Sequence, residues 1–303
     1  MKTTTCIFLM LLISSKLLTA QSITDYVSEY RISEASNMKL EGELLANTDL
    51  GSLLNELTPY FTDSMTVIRR KAYYLSYKKA KKESILNQVP AVNQLVIGCS
   101  DKEGSIIKQN LSYLKLFQKE AFDSTARKAI AFLLTQPKYE SFSDIYLLAG
   151  FLGIGSEPMN RLYMHPETPN KTKWTLQLAL ARMGNAGALE SVMNNASQME
   201  VGDNLVAYLI PNLIYTRQKQ ALDFCVKVLN ETDKNCSPPN AELSNKIVCG
   251  YRVMEMLAPV IEGYPFETDA TGMVVADNYD QALEQVRAWF IANPDYKIKT
   301  DRY

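Results

Sequence analysis

Apolar residues recur along this chain at steps of three and four, and the 13 glycines and 12 prolines cluster between the apolar stretches. Ile68, Ala72 and Leu75 follow that step, as do Ile107, Leu111, Leu114 and Phe117. One segment carries two apolar stripes: Thr172, Leu176, Ala179, Leu180 and Met183 form the first, and Trp174, Leu178 and Ala181 the second. Two stripes predict a helix buried on two sides, as a member of a stack must be. The pattern predicts helices at roughly 49–61, 64–82, 84–99, 104–121, 123–136, 141–154, 156–163, 170–184, 186–198, 202–216, 218–231, 241–262 and 278–293. Asp123, Ser124 and Thr125 offer N-cap oxygens, and Gly184-Asn185 offers a left-handed C-terminal turn. Sustained period-two alternation is missing, and residues 272–275 form the one extended patch. The helices pair up, with second members starting near 64, 104, 141, 170, 202 and 241. Those steps of about 30 to 40 residues suit a repeat array. The expected class is all-α: a solenoid of stacked antiparallel helical hairpins, an α-α superhelix.

The first 20 residues depart from this pattern and read as a signal peptide. Lys2 supplies the positive end, residues 6–13 the apolar run, and Leu18-Thr19-Ala20 a small residue before Gln21. Eight apolar residues span about 12 Å as a helix, too short for a bilayer. The expectation is export to a periplasm or the cell exterior, with no transmembrane segment after the leader. Residues 21–303 are then expected to form one helical-repeat domain. Its repeat-like core covers about 49–263, followed by an acidic loop at 264–278 and a last helix at 278–293. An apolar share of 47% suffices for a core and argues against disorder. A formal net charge of -1 gives no overall attraction to nucleic acid or anionic membrane.

Export would place Cys99, Cys225, Cys236 and Cys249 where disulfides persist. Cys236 and Cys249 flank a Ser-Pro-Pro-Asn turn between two predicted helices and are the favoured pair; small buried thiols are the equal alternative. The cysteine spacings and a single histidine do not suit a zinc site.

The opening Ile68-Arg69-Arg70-Lys71-Ala72 resembles the start of a second helix in HEAT-type repeats, which typically begin Val-Arg with small residues one turn on. Residues 173–192, Lys-Trp-Thr-Leu-Gln-Leu-Ala-Leu-Ala-Arg-Met-Gly-Asn-Ala-Gly-Ala-Leu-Glu-Ser-Val, are similar to a second helix, its turn and the next first helix. The resemblance covers 49 to about 263. Residues 64–82 lack the family's terminal glycine, and 171–184 place Lys where Arg is usual. The resemblance implies a curved solenoid binding other macromolecules, without naming them.

Candidate chemistry is sparse. His165, in Met-His-Pro-Glu, is the one histidine, so a triad would have to use it alone. The glycines at 150, 153 and 155 follow a helical stripe rather than a strand and read as an interhelical turn, not a phosphate cradle. No catalytic residue, metal or cofactor is expected. Arg69, Arg70, Tyr73, Tyr74, Tyr77 and Lys78 interleave cations with tyrosines and are the binding candidates, against the plainer reading of a solvated helix face. Five Asn-x-Ser/Thr sites, at Asn110, Asn170, Asn195, Asn230 and Asn235, matter only in a eukaryotic secretory pathway. The expected function is a non-catalytic scaffold for a protein or extended polymer, not nucleic acid. The alternative is a carbohydrate-active helical enzyme using carboxylates near 262–280: Glu262, Glu267, Asp269, Asp277 and Asp280.

Overall fold

The computed structural model describes residues 22–136, 142–238, 245–269 and 271–303. The expected leader at 1–20 lies outside them, as do the expected helix starts at 141 and 241. Among the described residues the protein is all-α, built of packed helical hairpins with isolated bridges in place of strands. One bridge, Thr268 to Val274, falls where the extended patch was expected. The chain divides into two compact units, the first ending at Gln109 and the second running Asn110–Tyr303, within the stretch expected to form one domain.

The first unit holds α1 (Ile23–Ser33), α2 (Met38–Asn47), α3 (Leu50–Leu57), α4 (Thr66–Ala80) and α5 (Val89–Gly98). The boundary between the units falls inside α6 (Gly104–Leu114). The helices α1 and α2 lie before residue 49, where the expected repeats began. They start on side-chain caps: Ser22 accepts from the Asp25 amide, and Asn37 from that of Leu40. Four helices, α1, α2, α3 and α5, pack on α4. Its buried set, Ile68, Ala72, Tyr73, Leu75 and Ala80, also includes Arg69, Lys71 and Lys79.

The second unit holds α7 (Ser124–Leu133), α8 (Ser143–Leu152), α9 (Ser156–Met164), α10 (Asn170–Arg182), α11 (Ala186–Ser197), α12 (Ile210–Thr216), α13 (Lys219–Asn230), α14 (Gly250–Leu257) and α15 (Tyr279–Ala292). Asp123 caps α7, accepting from the Ala126 amide at 2.8 Å. The segment expected to be helical over 104–121 instead ends α6 at Leu114 and makes a separate short turn at Lys119–Ala121. Among the described residues, the expected helix over 241–262 is limited to α14.

Alternate helices pack on one another in chain order: α8 on α10, α10 on α12, and α12 on α14. The two-striped segment is α10, which also touches α9 and α11. Its Leu176, Leu178 and Leu180 are buried, each contributing about 1.5–3 kcal/mol. Gly184, at φ 86°, ends this helix, and the Asn185 amide returns to the Leu180 carbonyl. Gly150 lets α8 and α10 approach closely. A Cβ there would meet Ala179 Cα and the Tyr215 hydroxyl, each at 2.7 Å. After α15 the chain doubles back. Glu262 N–H donates to Lys297 O and Lys299 N–H to Val260 O, and the remaining residues run on as a strap over the second unit.

Candidate functional site

The expected binding face on α4 is largely interior. Arg69 and Tyr73 are each only 3% exposed, which corrects their reading as surface residues. The Arg69 guanidinium grips Asp101 with Nε at 2.9 Å and Nη2 at 3.1 Å, and donates to the main-chain oxygens of Asp63 and Ser64. Burial pushes the Asp101 carboxyl up, but hydrogen bonds from Arg69 and the Glu103 amide hold it below its ordinary value. Tyr73 packs on Phe61 at 5.0 Å between ring centres. Its neighbour Lys71 is also buried and meets Glu41 Oε2 at 2.5 Å, while Tyr26 donates to the same oxygen at 2.7 Å. The rings of Tyr26, Tyr30 and Tyr74 surround the Lys71 ammonium at 4.8 to 5.3 Å. Burial opposes charge on Glu41, yet the hydrogen bonds from Lys71 and Tyr26 leave its carboxyl below the usual range. The two exposed candidates are Arg70, paired with Gln109, and Lys78, 5.8 Å from the Tyr74 ring centre; Tyr74 and Tyr77 are half-buried.

The acidic segment does not gather its carboxylates. Asp269 organises its own turn, accepting from Thr271 and from the Met273 amide, and Asp280 accepts from Tyr251. Glu262 lines an open cleft of about 580 Å³ with Trp289 and Asp295. The cysteines divide: Cys236 and Cys249 form a disulfide, whereas Cys99 and Cys225 are buried thiols pushed up by burial. His165 is exposed at the end of α9, and of the glycosylation patterns Asn110 is buried.

The strongest chemical feature lies in the second unit, in a pocket of about 270 Å³. Lys119, Arg182 and Arg217 line it together with Phe151, Gly153 and Thr300, and no acidic side chain is among the lining residues. Each cation arrives from a helix end or turn. Lys119 opens the short turn after α6, Arg182 is the last residue of α10, and Arg217 caps α12. Arg217 takes a left-handed conformation at φ 53°, a cost of about 1–2 kcal/mol that glycine would avoid. Its guanidinium offsets this by donating to the main-chain oxygens of Ile214, Lys299 and Tyr303. Arg182 donates to Tyr215 O at 2.5 Å and Arg302 O at 2.6 Å, and lies over the rings of Tyr215 and Phe151.

Peptide carbonyls, both partners of Arg182 and two of the three partners of Arg217, satisfy donors without cancelling charge. Burial pushes Arg217 down to about 10, with the charge of Arg182 adding to the effect; Tyr215 and Asp301 act the other way. Burial also lowers Arg182. Lys119 is lowered by burial and by the charges of Arg127 and Arg182, against a smaller pull from Glu120. A base lowered on folding binds fewer protons in the folded state than in the unfolded one. Stability therefore rises with pH through that window, and at neutral pH the penalty stands in full.

Sequence reasoning missed these residues because they stand far apart in the chain, one cation per segment. The readable signal was a lone Arg closing each of two apolar helices, in Ala-Leu-Ala-Arg-Met-Gly and Ile-Tyr-Thr-Arg-Gln. Comparison with protein-family models, with curated proteins and with solved structures finds no match.

Proposed function

We propose that the chain is an exported, non-catalytic helical-repeat module, a superhelical scaffold that holds a protein or extended polymer along its helical surface. The carrying observation is the packing of α8, α10, α12 and α14 each on the next, which is how repeat arrays present a ridged face. The HEAT-type resemblance of residues 173–192 supports the same reading, since that segment is α10, its turn and α11. Exposed apolar side chains, among them Phe132 on α7 and Tyr208 before α12, offer contact area. The Cys236–Cys249 disulfide supports an oxidising compartment.

The test places a photo-crosslinking residue at Phe132 or Tyr208 in cells that make the protein. The expected outcome is a discrete adduct, competed away by excess purified chain, in the exported fraction, with residues 1–20 removed. Intact leader in the cytosol, or no competed adduct from either position, counts against the proposal.

A second reading, carbohydrate cleavage, rests on Glu262 and Asp295 sharing a cleft with Trp289. Glycan-cleaving activity that survives Glu262→Gln would end it.

A further inference from the structure

We propose that the pocket between Lys119, Arg182 and Arg217 is a binding site for a phosphate-class oxyanion, either free or as the phosphoryl group of a small ester. Three observations carry this, independently of the scaffold reading. The first is charge: three cationic side chains line one cavity whose lining holds no carboxylate. An attracted anion is the direct way to relieve like charges held together in a partly buried cleft.

The second is unused donor capacity. A guanidinium has five N–H donors and an ammonium three. Arg182 commits two and Arg217 three, each to a main-chain oxygen. The Lys119 ammonium makes no hydrogen bond or ion pair among the described residues. A Cβ added at Gly153 would sit 4.0 Å from the Lys119 Nζ. The contrast with Lys115 is direct, since Lys115 pairs with Asp144.

The third is size. About 270 Å³ lies just under the range of roughly 300–1,000 Å³ typical for organic ligands, which suits a compact anion. A dianion answers three positive charges better than a monocarboxylate, and forked guanidinium groups match phosphoryl oxygens geometrically. The glycine amides are not the cradle. Gly153 N–H and Ile154 N–H close the end of α8 onto Gly150 and Ala149, so recognition falls to the side chains.

The structural role of Arg182 and Arg217 in pinning the strap makes them poor probes, so Lys119 carries the test. Titration calorimetry and thermal unfolding of the full chain are run with inorganic phosphate, glycerol phosphate and acetate at matched ionic strength. Saturable binding of phosphate or its ester, with a raised Tm and no such response to acetate, is expected. Tighter binding of the ester assigns the site to a phosphorylated small molecule, and tighter binding of phosphate to the free anion. Lys119→Gln is expected to weaken binding about tenfold or more, the loss of one charge-assisted contact. Lys119→Arg restores it, and Arg161→Gln, a change in an exposed pair with Glu157, leaves it unchanged. Equal responses to phosphate and acetate, or Lys119→Gln binding as tightly as the parent, overturn the proposal.

Discussion

Two groups of cations, one buried in the first unit and one half-buried in the second, are built on opposite principles. Around α4 each cation has its own carboxylate: Arg69 has Asp101, Lys71 has Glu41, and Lys79 has Glu83. Around the pocket of the second unit, Arg182 donates only to peptide carbonyls, Arg217 to two carbonyls and a main-chain oxygen of Tyr303, the last residue, and Lys119 to neither kind of group. The buried members of the densest basic run, Arg69, Lys71 and Lys79, are therefore spent on holding helices together. The scattered cations are the ones whose charge is left over for something else. Local charge density misleads here because it ignores where the opposite charge comes from; Glu41 and Asp101 lie 30 and 32 residues from their partners.

Breaking the paired side gives the largest effect. Lys71→Met leaves Glu41 buried without its cation and is expected to cost about 3–5 kcal/mol in urea unfolding. Adding Glu41→Leu recovers most of that, because the stranded charge goes too. If the single change costs under about 1 kcal/mol, the pair is not the anchor its burial implies.

Acid comes next. Glu41, Asp63 and Asp101 all have carboxyls held below their ordinary values, Asp63 chiefly by its hydrogen bond from Arg31. The folded state thus binds fewer protons than the unfolded one, and the stability they contribute is complete above the ordinary carboxylate value of about 4. It drains as pH falls through the folded-state values. Asp203 in the second unit is also pulled down, to about 2, by hydrogen bonds from Ser237 and then Lys246, but its side chain is more than a third exposed and its contribution is screened. Hydrogen exchange along an acid titration is expected to show α4 losing protection before α10, and the reverse order would break the comparison.

The unpaired side predicts a change of opposite sign. Lys119→Met in phosphate-free buffer removes a repelled charge and keeps the apolar stem, so Tm is expected to hold or rise, by under about 1 kcal/mol in stability. A loss of several degrees would mean that Lys119 has a structural partner after all. The smallest effect is expected at the surface: Arg70→Ala, where the guanidinium meets Gln109, stays within about 0.5 kcal/mol.

Much of the fold was legible because helical periodicity reports burial directly. The two-striped segment became α10, and the Asp123 and Gly184 caps fell where their chemistry put them. The early helices α1 and α2 were not read: α1 buries only Ile23, Tyr26 and Val27, and α2 mixes Glu41 into its buried face. The candidate site was almost wholly illegible. A face rich in Arg and Tyr looks the same in sequence whether it meets solvent or Glu41 and Asp101. The pocket, conversely, needs residues 119, 182 and 217 brought together by stacking, which no local window contains.

The strap over the pocket has a consequence for how this chain tolerates change. Residues 299, 301, 302 and 303 are held by their main-chain oxygens, which accept from Arg217, the Lys119 amide, Arg182 and Arg217 respectively. The forks grip the path of the strap and ignore the identity of its exposed side chains. Thr300 and Arg302 are exposed, so randomising them would leave the grip intact, whereas deleting one residue would shift every oxygen out of register. Tyr303 is the exception, since its ring packs 5.3 Å from Tyr215 and 5.9 Å from Phe151. Selection on this segment would then act on its length and its last aromatic side chain, and leave the composition between them to drift.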